Sequence, residues 1–412
     1  MNNHSNSDRY SYFVNTMLFL FALFVNIHNT LADIALFGIS MAGVYILKKN
    51  NINPFKDSKL RMVLLITAGY YFINLIVFFI NGTNFAKYLQ TDIYFLLAVF
   101  VAAGLLYAKV NMSLFFTGIR LALLYLGVYH FLSFEYIDKG ILDYTNIYVS
   151  IFSTVTVLMM FLSITTFAKD NLINKLLGLT AFIFGLIIIL DTSIRLSWLV
   201  FIVLTIVVTY FVIFKKIAVN KFSLLVFLLF LSMFISIISS NNKINDRISS
   251  IYHDIIVWSS GDNLETSIGL RLEMYKSGFE AFKEKPFFGH GYLNGTKEAS
   301  KYADLRASDT IYNFVQLHSE YITTMVEKGL FGLLSLGLLL LIPILIIVRN
   351  YSKNDIYIRI GIISCISFVM FGLFNASFGD TTIKAFYVLL ICLFSVSYTH
   401  LRAHETPEHL VC

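Results

Sequence analysis

The fold class the sequence predicts is an all-α, polytopic transmembrane helical bundle of about twelve spans, with one long extracytoplasmic loop containing amphipathic helices. Three observations predict it. Of 412 residues, 57% are hydrophobic and only 14% charged, with a mean hydropathy of +0.74, whereas soluble domains carry about 25% charged residues. Apolar runs recur near the length of about 20 residues that a helix needs to cross a bilayer. Those runs are uninterrupted, which excludes the period-two alternation of a membrane β-barrel, and lipid accepts only helices and closed barrels.

In chain order the runs fall near 12–28, 31–47, 62–80, 92–108, 113–133, 147–168, 175–191, 196–214, 222–239, 329–348, 357–377 and 384–396. The polar opening MNNHSNSDRYSYF leads into the first run with no small-residue cleavage pattern, so no cleavable signal peptide is expected. Fifteen cations fall on one side of the predicted spans: Arg9, Lys48, Lys49, Lys56, Lys59, Arg61, Lys109, Lys169, Lys175, Lys215, Lys216, Lys221, Arg349, Lys353 and Arg359. Four fall in short loops on the other: Lys87, Lys139, Arg195 and Lys384. The positive-inside rule then places the N-terminus in the cytoplasm and 241–328 outside. The net charge of +6 comes mainly from these basic loops and reports orientation, not nucleic-acid binding.

Four parts are expected. Residues 1–240 form an N-terminal bundle of about nine spans, 241–328 the extracytoplasmic loop, and 329–396 the C-terminal spans. Residues 397–412 cut the last run short with His400, Arg402, His404 and Glu405. This tail resembles translated sequencing-adapter read-through and is read as non-native, so a metal site at His400, His404, Glu405 and His409 is set aside. Cys365 and Cys392 lie inside apolar runs and Cys412 ends the chain, which indicates no disulfide framework or thiolate metal site. The 40 Phe and 24 Tyr, with many Ile, Asn and Lys, read as the product of an AT-rich genome and point to a bacterial source.

The long polar passage between spans, Ser267 to Gly332, holds most of the chemistry. Ile268–Lys283 has helical spacing, and Pro286 with Gly289-His290-Gly291 ends that helix. Asp309–Glu327 reads as a second amphipathic helix, capped by Asp309 and ending at Gly329. Residues 241–267 and 295–307 read as polar loop.

The order of motifs here is Arg271 in a helix, Pro286-Phe287-Phe288-Gly289-His290-Gly291, His318-Ser319-Glu320-Tyr321, then Glu327-Lys328-Gly329-Leu330-Phe331-Gly332 running into a span. This order resembles the O-antigen ligase and polysaccharide polymerase (Wzy-type) family of membrane glycosyltransferases. Upstream, Ser193-Ile194-Arg195-Leu196-Ser197-Trp198 is similar to the family's Ser-Arg motif, with one inserted residue. The resemblance implies a polyprenyl-diphosphate-linked oligosaccharide as donor and a second glycan as acceptor, joined on the outer face of the bacterial cytoplasmic membrane. It also implies a chain-length regulator and a flippase as partners beside the membrane lipids.

That chemistry assigns roles. A diphosphate leaving group needs positive charge where negative charge develops, and the arginine fork supplies it with two parallel bonds; Arg195 and Arg271 are the diphosphate-binding candidates. The acceptor hydroxyl needs a general base titrating near neutrality, and His318 is that candidate. Arg120, His290, Glu320 and Tyr321 are further candidates. No Asp-x-Asp pattern for holding a cation against a diphosphate occurs, so no metal and no cofactor is expected.

Each residue has a plainer reading. Arg195 sits where it can snorkel or pair with Asp191, Arg271 can face solvent beside Glu273, and His318 can be a satisfied interface histidine. Arg120, in the middle of the fifth run, either serves function or braces the bundle through backbone carbonyls. Glu135, Asp138, Asp304, Arg306 and His290 are of types that commonly sit solvated in loops. Three functions stand: a polymerase of lipid-linked repeat units (capsular, O-antigen or exopolysaccharide), a ligase moving glycan onto an acceptor, and a lipid-linked oligosaccharide flippase. Transporters concentrate polar residues and helix breaks at the membrane midplane, whereas Pro343 is the one proline inside a predicted span and the polar density lies in the loop.

Overall fold

The computed structural model describes residues 2–50, 53–81, 85–132, 149–166, 170–192, 194–214, 242–349 and 356–405. The expected span at 222–239, Glu135, Asp138, Ser193 and the end of the tail lie outside the described residues. Among those described there are fifteen α-helices and no strand. They are α1 (Asn2–Phe24), α2 (Asn29–Asn50), α3 (Ser58–Asn81), α4 (Phe85–Tyr107), α5 (Met112–Leu132), α6 (Val149–Ser163), α7 (Leu172–Asp191) and α8 (Arg195–Phe214), then α9 (Asn242–Ser260), α10 (Ser267–Glu284), α11 (Gly295–Ser300), α12 (Leu305–Asn313), α13 (Glu320–Arg349), α14 (Ile356–Phe374) and α15 (Thr381–Glu405).

Five helices are long and apolar enough to cross a membrane, and five shorter apolar segments accompany them among the described residues. On α13, Leu334, Leu338, Leu341, Leu345 and Val348 are exposed at alternating steps of four and three, while Leu336, Leu339, Leu340, Ile346 and Ile347 are buried. A helix apolar on both faces belongs in lipid, where its outer stripe meets acyl chains and its inner stripe packs the bundle. Close approach replaces the hydrophobic drive that lipid does not supply. Gly43 of α2 lies against the Phe100 carbonyl of α4, where a Cβ would meet that oxygen at 1.9 Å.

Two hydrophobic cores result. The larger is built by α1–α8 with α13–α15. The smaller, of Leu264, Met274, Ala281, Ala299, Ala307, Ile311, Leu317 and Val326, belongs to the loop helices. Helix α13 contributes to both, Val326 to the small one and Leu336 onward to the large one.

The loop is more helical than its polarity implied. The stretch read as loop before Ser267 contains α9, and 295–307 contains α11 and the start of α12. The expected helix at 268–283 is α10, started by Thr266, whose hydroxyl accepts from Gly269 N at 3.0 Å. The expected continuous helix Asp309–Glu327 is instead two. Asp304, not Asp309, caps α12, accepting from Arg306 N at 3.0 Å, and residues 314–319 leave the helix before α13 begins at Glu320. Tertiary bonds explain the interruption: Thr296 Oγ1 donates to the Phe314 carbonyl at 2.8 Å and Gln316 Nε2 to Asn375 Oδ1 at 2.8 Å. The backbone of α15 runs past the expected end at 396 to Glu405, through Leu, Arg, Ala and Glu, which favour helix.

The expected stop at Gly329 is a break inside α13. Gly329 has φ 63° and ψ −158°, a region open essentially to glycine alone. The Pro286–Gly291 turn lies against the break: Leu330 N donates to Pro286 O at 2.7 Å, Phe331 N to Phe287 O at 3.2 Å, His290 N to Val326 O at 2.9 Å and Gly291 N to Glu327 O at 2.8 Å. A Cβ on Gly329 would meet Phe287 O at 2.4 Å, and one on Gly289 would meet the Glu327 carbonyl carbon at 2.4 Å. Gly329→Ala should therefore cost at least about 2 kcal/mol and lower the thermal unfolding midpoint in detergent. Gly337→Ala, in the same helix with nothing within 4 Å of the added carbon, is the control and should unfold at or above the wild-type midpoint.

Candidate functional site

The segment 314–319 is held at the C-terminal end of α14. A helix end leaves its last carbonyls without intrahelical partners, and the loop supplies donors here. Ser319 Oγ donates to Gly372 O at 3.3 Å, and the Tyr275 hydroxyl lies 3.4 Å from Leu373 O. Asn375 accepts from Glu320 N at 3.1 Å through its carbonyl and from Gln316 through its side chain, while its own amide donates to Ser150 Oγ of α6 at 3.2 Å. This corner fixes the residues on both sides of His318.

His318 is not on a helix. Its φ is 50°, the left-handed region that L-residues with a Cβ seldom occupy, and its carbonyl accepts from the Tyr275 hydroxyl at 3.0 Å. The ring packs edge-on against Phe314, centroids 5.1 Å apart. Burial, joined by the positive charge of Arg271, pushes the imidazole down to about 4. His318 is therefore neutral at pH 7 with a free nitrogen lone pair, but burial and the Arg271 charge hold it below the near-neutral titration expected from the sequence.

Arg271 lies on α10 one helical turn before Tyr275 and acts on both Tyr275 and His318 electrostatically. It is half-buried, and among the described residues no acceptor bonds its guanidinium. The neighbouring Glu273 does not pair with it. Glu273 is buried, accepting from Trp258 Nε1 at 3.3 Å and from Asp304 N at 3.0 Å, and braces α10 against α9 and the start of α12. The structure thus brings Arg271 and His318 together as an uncommitted cation beside a neutral imidazole.

The other candidates are placed differently. Arg195 begins α8 and donates from Nη2 to Ser250 Oγ of α9 at 2.7 Å, tying the bundle to the loop helices. Glu320 is buried, accepting from Phe378 N at 2.8 Å and Thr324 Oγ1 at 3.3 Å, and Tyr321 donates to Val369 O at 2.9 Å. Both join α13 to the α14 corner. His290 is buried within the turn at the α13 break; its Nε2 donates to Ala281 O at 2.8 Å and its Nδ1 lies 3.5 Å from Glu298. Glu284, His290 and Glu298 bring three ligand atoms within 4.8 Å of one another. Glu284 already accepts from Tyr302 at 2.7 Å and Glu298 from Lys301, so the group is held together without an ion.

Arg120 braces the bundle. Its Nε and Nη2 donate to Ser163 O at 2.9 and 2.8 Å, and Nη2 also reaches Thr166 and pairs with Asp170. The guanidinium lies beside Gly178 of α7, 3.3 Å from where its Cβ would sit, whereas Arg195 follows the far end of that helix.

A group unforeseen in the sequence lies under the loop. Asp92 of α4 pairs with Lys384 of α15 at 2.8 Å, lies 4.0 Å from Lys328 and accepts from Asn74 Nδ2 at 3.0 Å. Lys328 also donates to the Tyr70 hydroxyl at 3.4 Å. Lys384, read as a loop cation, is fully buried. The one signal for it in the sequence is a charged residue at the mouth of each of three apolar runs, at Asp92, Lys328 and Lys384.

Residues 180–337 match the family described as O-antigen ligase, a segment that includes Arg195, Arg271, His318 and the break at Gly329. A protein of Haemophilus influenzae, described as uncharacterized, is 26% identical over 213 residues, 50% of this chain and 52% of that protein. The chain thus spans about half the length of the curated relative it matches. Residues 180–337, with Arg271 and His318 among them, are thus similar to the O-antigen ligase family.

Proposed function

We propose that the protein is a membrane glycosyltransferase that joins polyprenyl-diphosphate-linked oligosaccharide repeat units on the outer face of the bacterial cytoplasmic membrane. The observation that carries this reading is that α10 brings Arg271, one turn before Tyr275, to the neutral His318, whose carbonyl Tyr275 bonds, within the segment that matches the family. His318 takes the proton of the acceptor hydroxyl as its oxygen bonds to the donor's anomeric carbon. The bond from that carbon to the diphosphate breaks, and Arg271, with Arg195 as the second candidate, receives the charge left on the polyprenyl diphosphate. The roles need no metal. The description of the matched family favours ligation as the second reading, and the acceptor distinguishes the two: a second lipid-linked repeat unit for the polymerase, a finished lipid or glycan for the ligase.

His318→Ala should lower turnover by about 10²–10⁴-fold with donor binding largely kept. Arg271→Ala should weaken the donor as well, and Arg271→Lys should restore little because the fork is lost. The measurement is elongation of lipid-linked oligosaccharide extracted from the native host by purified protein containing EDTA. Near wild-type elongation by His318→Ala removes it as the base, and loss of wild-type activity in EDTA removes the metal-free mechanism.

The titration of His318 gives a pH dependence with a defined sign. The profile of kcat/KM, which reports the free enzyme, should stay level below pH 6.5 and fall with an acid limb near pH 4. The folded imidazole holds its proton more weakly than the unfolded chain's, so the same shift should make stability fall as pH drops from 6.5 to about 4. An acid limb at 6.5 or above contradicts the assignment.

Orientation is read out by single cysteines in a background lacking Cys365, Cys392 and Cys412. Leu305→Cys, at a side chain 92% exposed on the loop, should react with an impermeant thiol reagent in intact cells. Lys56→Cys, exposed between α2 and α3, should react only after permeabilisation; the reverse pattern inverts the topology.

A further inference from the structure

We propose that Tyr275 is a positioning residue for His318, its hydroxyl holding the left-handed backbone that sets the imidazole beside Arg271. The inference rests on the reading of His318 as the base and adds the residue through which its geometry is kept. Tyr275 follows Arg271 by four positions on α10, so the two side chains share one helix face. That single face presents a cation toward the imidazole and a hydroxyl toward the carbonyl of the same residue, 3.0 Å away.

His318 needs such a partner. A φ of 50° is unfavourable for a residue with a Cβ, and it persists only where the surroundings over-determine it. Gln316, Ser319 and Glu320 are each bonded to the corner after α14, which fixes both flanks. The carbonyl of His318 is held by Tyr275. Burial raises the Tyr275 phenol above its ordinary range, so it remains a donor across the working pH. The longer contact of the same hydroxyl to Leu373 O, 3.4 Å, joins this support to the membrane bundle. The plainer role, loop packing alone, predicts a different experimental pattern.

The test compares purified full-length wild type, Tyr275→Phe, His318→Ala and the double variant, with lipid-linked oligosaccharide extracted from the native host as donor. Tyr275→Phe keeps the ring and should lower turnover about 10-fold, with KM for the donor within about twofold of wild type because Arg271 is untouched. The double variant should be no slower than His318→Ala, since the hydroxyl acts only through the imidazole. Wild-type turnover in Tyr275→Phe, or an equal loss added to His318→Ala, overturns the proposal. A readout independent of activity is the titration of His318 by NMR of protein labelled at histidine Cε1, assigned with His318→Ala. In Tyr275→Phe the midpoint should rise from about 4 toward the ordinary 6.5. An unchanged midpoint ends the positioning role whatever His318 does, whereas fast turnover by His318→Ala with a moved midpoint ends only the reading of His318 as the base.

Discussion

Helix α13 breaks at Gly329, and the turn from Pro286 to Gly291 fills the break with hydrogen bonds on both sides of it. The rest of the structure hangs on this join. Below the break α13 packs in the membrane core; above it the same helix packs in the small core of the loop. Two glycines make it possible, because each lies where the other strand's backbone would meet a Cβ at 2.4 Å. The loop is thus bonded to α13 where its apolar stretch begins, and His318, eleven positions before Gly329, inherits a fixed place relative to that stretch.

Charge is treated in opposite ways at the two places where it is buried. Beneath the loop, Asp92 and Lys384 pair at 2.8 Å with Lys328 close by, all of them shielded. Buried ions that satisfy one another are costly to separate, since removing either partner strands the other. They hold α4, α13 and α15 in one arrangement. In the loop, Arg271 has a neutral imidazole beside it and no bonded carboxylate, although Glu273 is two positions away. Glu273 is drawn into the loop core, where it accepts from Trp258 and Asp304 N instead of pairing with Arg271.

The spans were legible because lipid demands the same apolar length from each helix, and α10 because its spacing agrees with its packing. The placement of His318 was not. Residues 314–319 keep helical spacing, yet Thr296, Gln316 and Ser319 draw them out of the helix through partners as far as 59 positions away. Arg271 and His318 were legible as residue types in a motif, whereas Tyr275 looked like one more apolar position of a helix until its hydroxyl was seen on the His318 carbonyl. Asp92 and Lys384, 292 positions apart, carry no local mark of their pairing. Arg120 was read two ways, functional or bracing, and its bonds to Ser163, Thr166 and Asp170 are those of a brace.

The separation of the two cores has an evolutionary consequence. The helices α11 and α12 pack on the small core, against α10 and α13. Outward positions of α12, Leu305 and Tyr312 among them, are exposed. Substitutions and insertions there leave the bilayer-spanning helices undisturbed, as surface segments on a rigid scaffold generally allow. A lineage can therefore vary that outer face while the Arg271–His318 pair and the join at Gly329 stay as they are.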